Sequence, residues 1–105
     1  MANGHFGRIL EAKAAMKRIL KPGTPAYFIH DTDLARGMGL STPTLRALRK
    51  ELGIPPREER ILAVVRTVGT AYLDDYLAKL PGVTYHCLYM LLRLRKVPFL
   101  KRSDS

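Results

Sequence analysis

The chain has 105 residues, a length that suits one small domain or two very small units sharing a core and leaves little room for elaborate chemistry. Its 18 lysines and arginines face only 9 acidic residues, and the resulting formal charge of +9 repels itself unless a polyanion relieves it, with nucleic acid the leading candidate. A single cysteine, Cys87, excludes an internal disulfide framework and any CxxC metal site, and no apolar run approaches the roughly 20 residues needed to cross a bilayer.

The basic excess sits at both ends: residues 1–21 hold five basic groups against Glu11, residues 81–105 hold five against Asp104, and residues 56–80 balance. The opening Met-Ala-Asn-Gly-His-Phe-Gly lacks the charged-then-apolar plan of a signal peptide, so the expected location is cytoplasmic, with no membrane partner.

In chain order, residues 7–20 mix Ile9, Leu10, Met16, Ile19 and Leu20 with Arg8, Lys13, Lys17 and Arg18, which predicts a first helix ending at Lys-Pro-Gly. That helix either lays its cations along phosphates or caps the core with its charges in water. Residues 21–25 form a loop by their proline and glycine content, and residues 26–29 read equally as a helix start or an extended piece. A short helix follows over residues 31–38, stopped by Gly37 and Gly39. Ser41 then caps a second helix, with Pro43 in its tolerated first turn and Leu45, Leu48 and Leu52 on one face.

Pro56 can open the next helix, where Glu58 and Glu59 suit the N-terminal dipole; the β-branched run over residues 61–68 keeps a strand, and with it a wing-like hairpin, as the minority alternative. Residues 70–80 read as helical, Pro81-Gly82 breaks them, and Thr84 caps a last helix carrying Leu88, Leu91, Leu92 and Leu94.

Sliding residues 31–55 by 43 positions onto 74–98 superposes the punctuation without a gap. Asp31 falls on Asp74, Leu34 on Leu77, Ala35 on Ala78, Gly39 on Gly82, Leu45 on Leu88, Leu48 on Leu91 and Pro55 on Pro98, with conservative pairs such as Ser41 with Thr84 between them. At these residues each segment resembles the helix-turn-helix of bacterial and phage transcriptional regulators. The resemblance implies that Ala35 and Ala78 occupy the small-residue position where the two helices cross. It places Gly39 and Gly82 at the left-handed turn and Leu40 and Val83 as the plugs beneath it.

The expected fold is therefore all-α, a compact helical domain of five or six helices holding two tandem helix-turn-helix motifs. Its expected divisions are an N-terminal helix over 1–22, a first unit over 23–56, a second over 57–100 and a basic tail over 101–105. In this family the second helix enters the major groove. Carried over by position, this makes Ser41, Thr42, Pro43, Arg46 and Ala47 the groove-facing set of the first copy, with Arg49 and Lys50 nearer the phosphates. The second copy offers Thr84, Tyr85, His86, Tyr89 and Met90, followed by Arg93, Arg95 and Lys96. Arg46 is the leading specificity residue, because a guanidinium pairs bidentately with O6 and N7 of guanine.

The expected function is sequence-specific binding of double-stranded DNA, acting as a transcriptional regulator or repressor that occupies an operator or promoter, with a homodimer as one arrangement. The alternative is a protein-protein adaptor on a transcription-machinery or DNA-processing complex, since the aromatic face of the second copy suits a protein contact equally well. No catalytic residue, metal site or cofactor is expected: His5, His30 and His86 are widely spaced, and Asp74-Asp75 suit a helix end better than an active site.

Overall fold

A computed structural model describes residues 4–101 of the chain, with side chains from Arg8 onward; the expected tail beyond Lys101 and the side chain of His5 lie outside the described residues. The fold is all-helical, with six α-helices and one 3-10 turn among the described residues and no strand. None of these helices is long and apolar enough to cross a membrane. The chain divides into two compact units, unit 1 up to Pro55 and unit 2 from Pro56.

Unit 1 contains α1 (Gly4–Ile19), α2 (Asp31–Met38) and α3 (Thr42–Glu51). The apolar spacing of α1 puts Ala12, Met16 and the following Leu20 on one buried side, and Pro22-Gly23 then forbids continuation. The Thr24 hydroxyl donates to the carbonyls of Ile19 (2.8 Å) and Lys21 (2.9 Å), covering acceptors that the helix end leaves open. The segment left undecided between helix and extended chain is the 3-10 turn Pro25–Phe28. Met16, Leu20, Leu34, Ala35, Leu45 and Leu48 form the core of the unit. Each large member contributes about 1.5–3 kcal/mol by leaving water.

The connection from α2 to α3 is short because Gly39 takes φ 70°, a conformation that costs an L side chain about 1–2 kcal/mol. Leu40 N–H then reaches back to the Ala35 carbonyl at 2.9 Å and leans on the core. Ala35 is 1% exposed, so a larger side chain there would force the helices apart.

Unit 2 contains α4 (Arg57–Val68), α5 (Leu73–Leu77) and α6 (Tyr85–Leu94). The β-branched run over residues 61–68 is helical, not a strand: Ile61, Leu62 and Val65 follow helical spacing and are buried, and Glu58 and Glu59 occupy the first turn. Where a helix was expected over residues 70–80, only Leu73–Leu77 is one. At its start, Tyr72 N–H donates to the Asp75 carboxylate at 3.2 Å, while Leu100 N–H donates to the Ala71 carbonyl at 2.8 Å and keeps the preceding chain extended. At its end, Pro81 has no N–H and its ring opposes the carbonyl four residues back. The last turn tightens instead, with Lys79 N–H on Tyr76 and Leu80 N–H on Leu77. Tyr76 is fully buried, and its hydroxyl donates to the Gly69 carbonyl at 2.6 Å and accepts from Ala71 N–H at 2.9 Å.

The ungapped repeat holds for α3 and α6 and fails for α2 and α5. The caps Ser41 and Thr84 stand 43 positions apart, and burial repeats residue for residue: Leu45, Leu48 and Arg49 in α3, Leu88, Leu91 and Leu92 in α6. The caps His30 and Tyr72 stand only 42 apart. Leu34 therefore corresponds in burial to Tyr76 and Met38 to Leu80, with Pro81 the extra residue before Gly82, whose φ is 81°. Ala78, expected at the helix crossing, is consequently exposed beyond the end of α5.

Candidate functional site

In α3, Pro43 stands in the first turn, where its missing N–H has no intrahelical partner to lose, and the Ser41 side chain accepts from Thr44 N–H at 3.3 Å. Burying Leu45, Leu48 and Arg49 sends the opposite side outward: Pro43, Arg46, Ala47 and Lys50 are all exposed, at the spacing of a single helical strip. Ser41 is exposed at the head of this strip, and Thr42 is half-buried beside it.

The arginines of α3 differ in role. Arg46 has a side chain 59% exposed and donates through Nε to Asp31 Oδ2 at 3.3 Å. Arg49, expected near phosphates, is instead turned inward with its side chain 10% exposed. Its Nη2 donates to the same Asp31 oxygen at 3.3 Å and its Nη1 to the Ile54 carbonyl at 3.0 Å. Its position falls on the inward face, one helical turn after Leu45 and next to Leu48, so its charge is consumed inside unit 1. Lys50 is exposed and makes no ion pair among the described residues.

No protein-family model, curated protein or solved structure matches this chain.

In α6 the Thr84 side chain accepts from Cys87 N–H at 3.2 Å. The outward face is aromatic and apolar. Tyr85 and His86 are exposed, and Tyr85 stacks on half-buried Tyr89 with ring centroids 6.5 Å apart. Tyr89 meets Phe99 edge to face at 5.9 Å. Arg93 donates through Nη1 to the Tyr89 hydroxyl at 2.7 Å and lies over the same ring. Met90 and Leu94 are exposed, Leu94 to 73%.

Arg95 is drawn away from this face: it donates to Glu59 at 2.9 Å and Glu58 at 3.1 Å, and those hydrogen bonds, Glu59's first, hold its guanidinium above its usual range. Cys87 is half-buried, with Arg57 Nη1 3.5 Å from its sulfur.

Among the described residues, no group of three or more histidine, cysteine or acidic side chains gathers to hold a metal ion. The sequence reading passed over Asp31, which joins Arg46 to Arg49, and Phe99, which extends the aromatic row. Asp31 gave only one sequence signal, its match to Asp74 in the repeat.

Proposed function

We propose that this chain binds double-stranded DNA through α3 of unit 1, as a sequence-specific regulator of the helix-turn-helix kind acting by occupancy of an operator or promoter. The observation that carries this reading is the division of α3 into an inward face of Leu45, Leu48 and Arg49 and an outward strip of Ser41, Pro43, Arg46, Ala47 and Lys50. Such a strip has the width of a helix face that a major groove accepts. Ser41, at the head of the helix, and Lys50, near its end, can hold phosphates, while Arg46 in the middle reaches base edges. The formal charge of +9 supplies the sequence-independent part of the affinity.

The test is selection from random duplexes by the intact chain, followed by titration of the enriched site at several salt concentrations. An enriched motif, a steep fall of affinity with salt, and loss of one guanine preference in Arg46→Ala are the expected results. Weak, uniform retention with no motif overturns the reading.

The face of α6 favours a second role. The stacked Tyr85 and Tyr89, with Phe99 beside them and exposed Met90 on the same outward side, are more like a protein contact than a phosphate contact, which supports unit 2 as a protein-binding module, whether for a second copy or for a transcription-machinery partner.

A further inference from the structure

Asp31 is the first residue of α2, and its carboxylate lies behind the outward strip of α3. One oxygen, Oδ2, accepts from two arginines at once, Nε of Arg46 and Nη2 of Arg49, both at 3.3 Å. Asp31 and Arg49 have side chains only 12% and 10% exposed, while Arg46 is 59% exposed. A buried ion pair thus holds one exposed cation from behind.

The packing of the fold does not require that pair. In unit 2 the first residue of α5 is Leu73, and the position 43 after Arg49 is Leu92; both leucines are buried, at 5% and 0% exposure. Two apolar side chains fill the equivalent places there. A buried ion pair gains little over such an apolar pair, because removing both charges from water offsets their attraction. Here Asp31 Oδ1 and Arg49 Nε are in addition buried without hydrogen-bond partners among the described residues, a further cost. What the pair supplies, and two leucines cannot, is a fixed carboxylate for Arg46.

We infer that Asp31 is a positioning residue that sets the base preference of Arg46, an inference that rests on α3 being the DNA-reading helix. With Nε committed to Asp31, the guanidinium keeps both terminal nitrogens to donate in parallel to O6 and N7 of guanine. Arg49 holds Asp31 in place through its own bonds to that carboxylate and to Ile54. An arginine fixed before contact loses less rotamer freedom on binding, and its fork is aimed at one base edge instead of ranging over neighbouring phosphates. The gain falls on discrimination, with general affinity unchanged.

The deciding variant is the double substitution Asp31→Leu with Arg49→Leu, which copies unit 2 and leaves net charge unaltered. The intact wild-type chain, this variant and Arg46→Ala are each taken through random-duplex selection. They are then titrated on the enriched site, its single-base variants and an unrelated duplex. The wild type selects a guanine whose preference vanishes in Arg46→Ala. The double variant melts no lower than wild type, keeps its salt dependence on the unrelated duplex, and loses roughly 2- to 12-fold of the preference at that same guanine. A folded double variant with undiminished preference overturns the inference while the DNA reading stands. So does a wild-type motif that Arg46→Ala leaves intact. If the wild type selects nothing, both readings fall. Should the double variant not fold, Asp31→Asn takes its place: it keeps the shape but weakens the hold on Arg46, and an unchanged guanine preference there overturns the inference equally.

Discussion

Lys96 is the one non-glycine residue with positive φ among the described residues, at 56°, just past the end of α6. Its counterpart 43 positions earlier is Gly53, with φ 73°, and the two helices close alike: Ile54 N–H reaches the Arg49 carbonyl at 3.1 Å, and Val97 N–H reaches that of Leu92 at 2.9 Å. An L side chain in this left-handed region costs about 1–2 kcal/mol that glycine avoids. Lys96→Gly also removes a cation from beside a helix C-terminus, a loss of about 0.3–0.5 kcal/mol at an exposed site where Arg93 remains. The expected net result is a stabilisation of about 1 kcal/mol, a rise of roughly 4–8 °C in the unfolding midpoint of a unit this small. Lys96→Ala serves as the control, because it removes the same charge and keeps the backbone penalty. Thermal and urea unfolding followed by far-UV circular dichroism measure all three proteins. A Lys96→Gly midpoint at or below the wild type refutes the reasoning. Equal gains in both variants would show that relief of charge repulsion, and not backbone conformation, is responsible.

Ala35→Leu, at the buried crossing of α2 and α3, is expected to destabilise by about 1–3 kcal/mol in urea unfolding, whereas Ala78→Leu, exposed beyond α5, stays within about 0.5 kcal/mol of wild type. Ser41→Ala and Thr84→Ala each remove a side-chain acceptor from a helix N-terminus and lower stability by about 1 kcal/mol, measured the same way. On duplex DNA, Lys50→Ala reduces the slope of log affinity against log salt by about 1, since its ammonium makes no ion pair among the described residues. Arg95→Ala leaves that slope in place, because Glu58 and Glu59 already hold its charge.

The parts of the fold that depend on local chemistry were legible in the sequence. Ser41 and Thr84 read as caps because a side-chain oxygen before an apolar helix has few better uses. Gly39 and Gly82 read as turns, and Leu45 and Leu48 of α3 and Leu88, Leu91 and Leu92 of α6 give their burial by spacing, whereas Leu94 at the end of α6 is exposed. What failed depends on partners far along the chain. Arg49 looked like a surface cation next to Lys50, and its inward orientation needs Asp31, 18 residues earlier, to receive it. The expected long helix over residues 70–80 ignored both the pairing of Ala71 with Leu100 and the reach of Pro81 back into the preceding turn. Identity across the repeat also misled at Ala78, because matching letters preserve the register of the chain but not the face of a helix.

The extra residue at Pro81 has a consequence for any attempt to recombine the two units. Each residue turns an α-helix by about 100°, so a chimera spliced inside the first helix at positions 43 apart would rotate the rest of that helix by this angle and bring a polar side toward the core. Cut points placed at the two helix caps, His30 with Tyr72 and Ser41 with Thr84, would carry each helix together with its own turn and keep its phase. The turn is thus the slack in the design, able to take up a residue without rotating the helix that follows it.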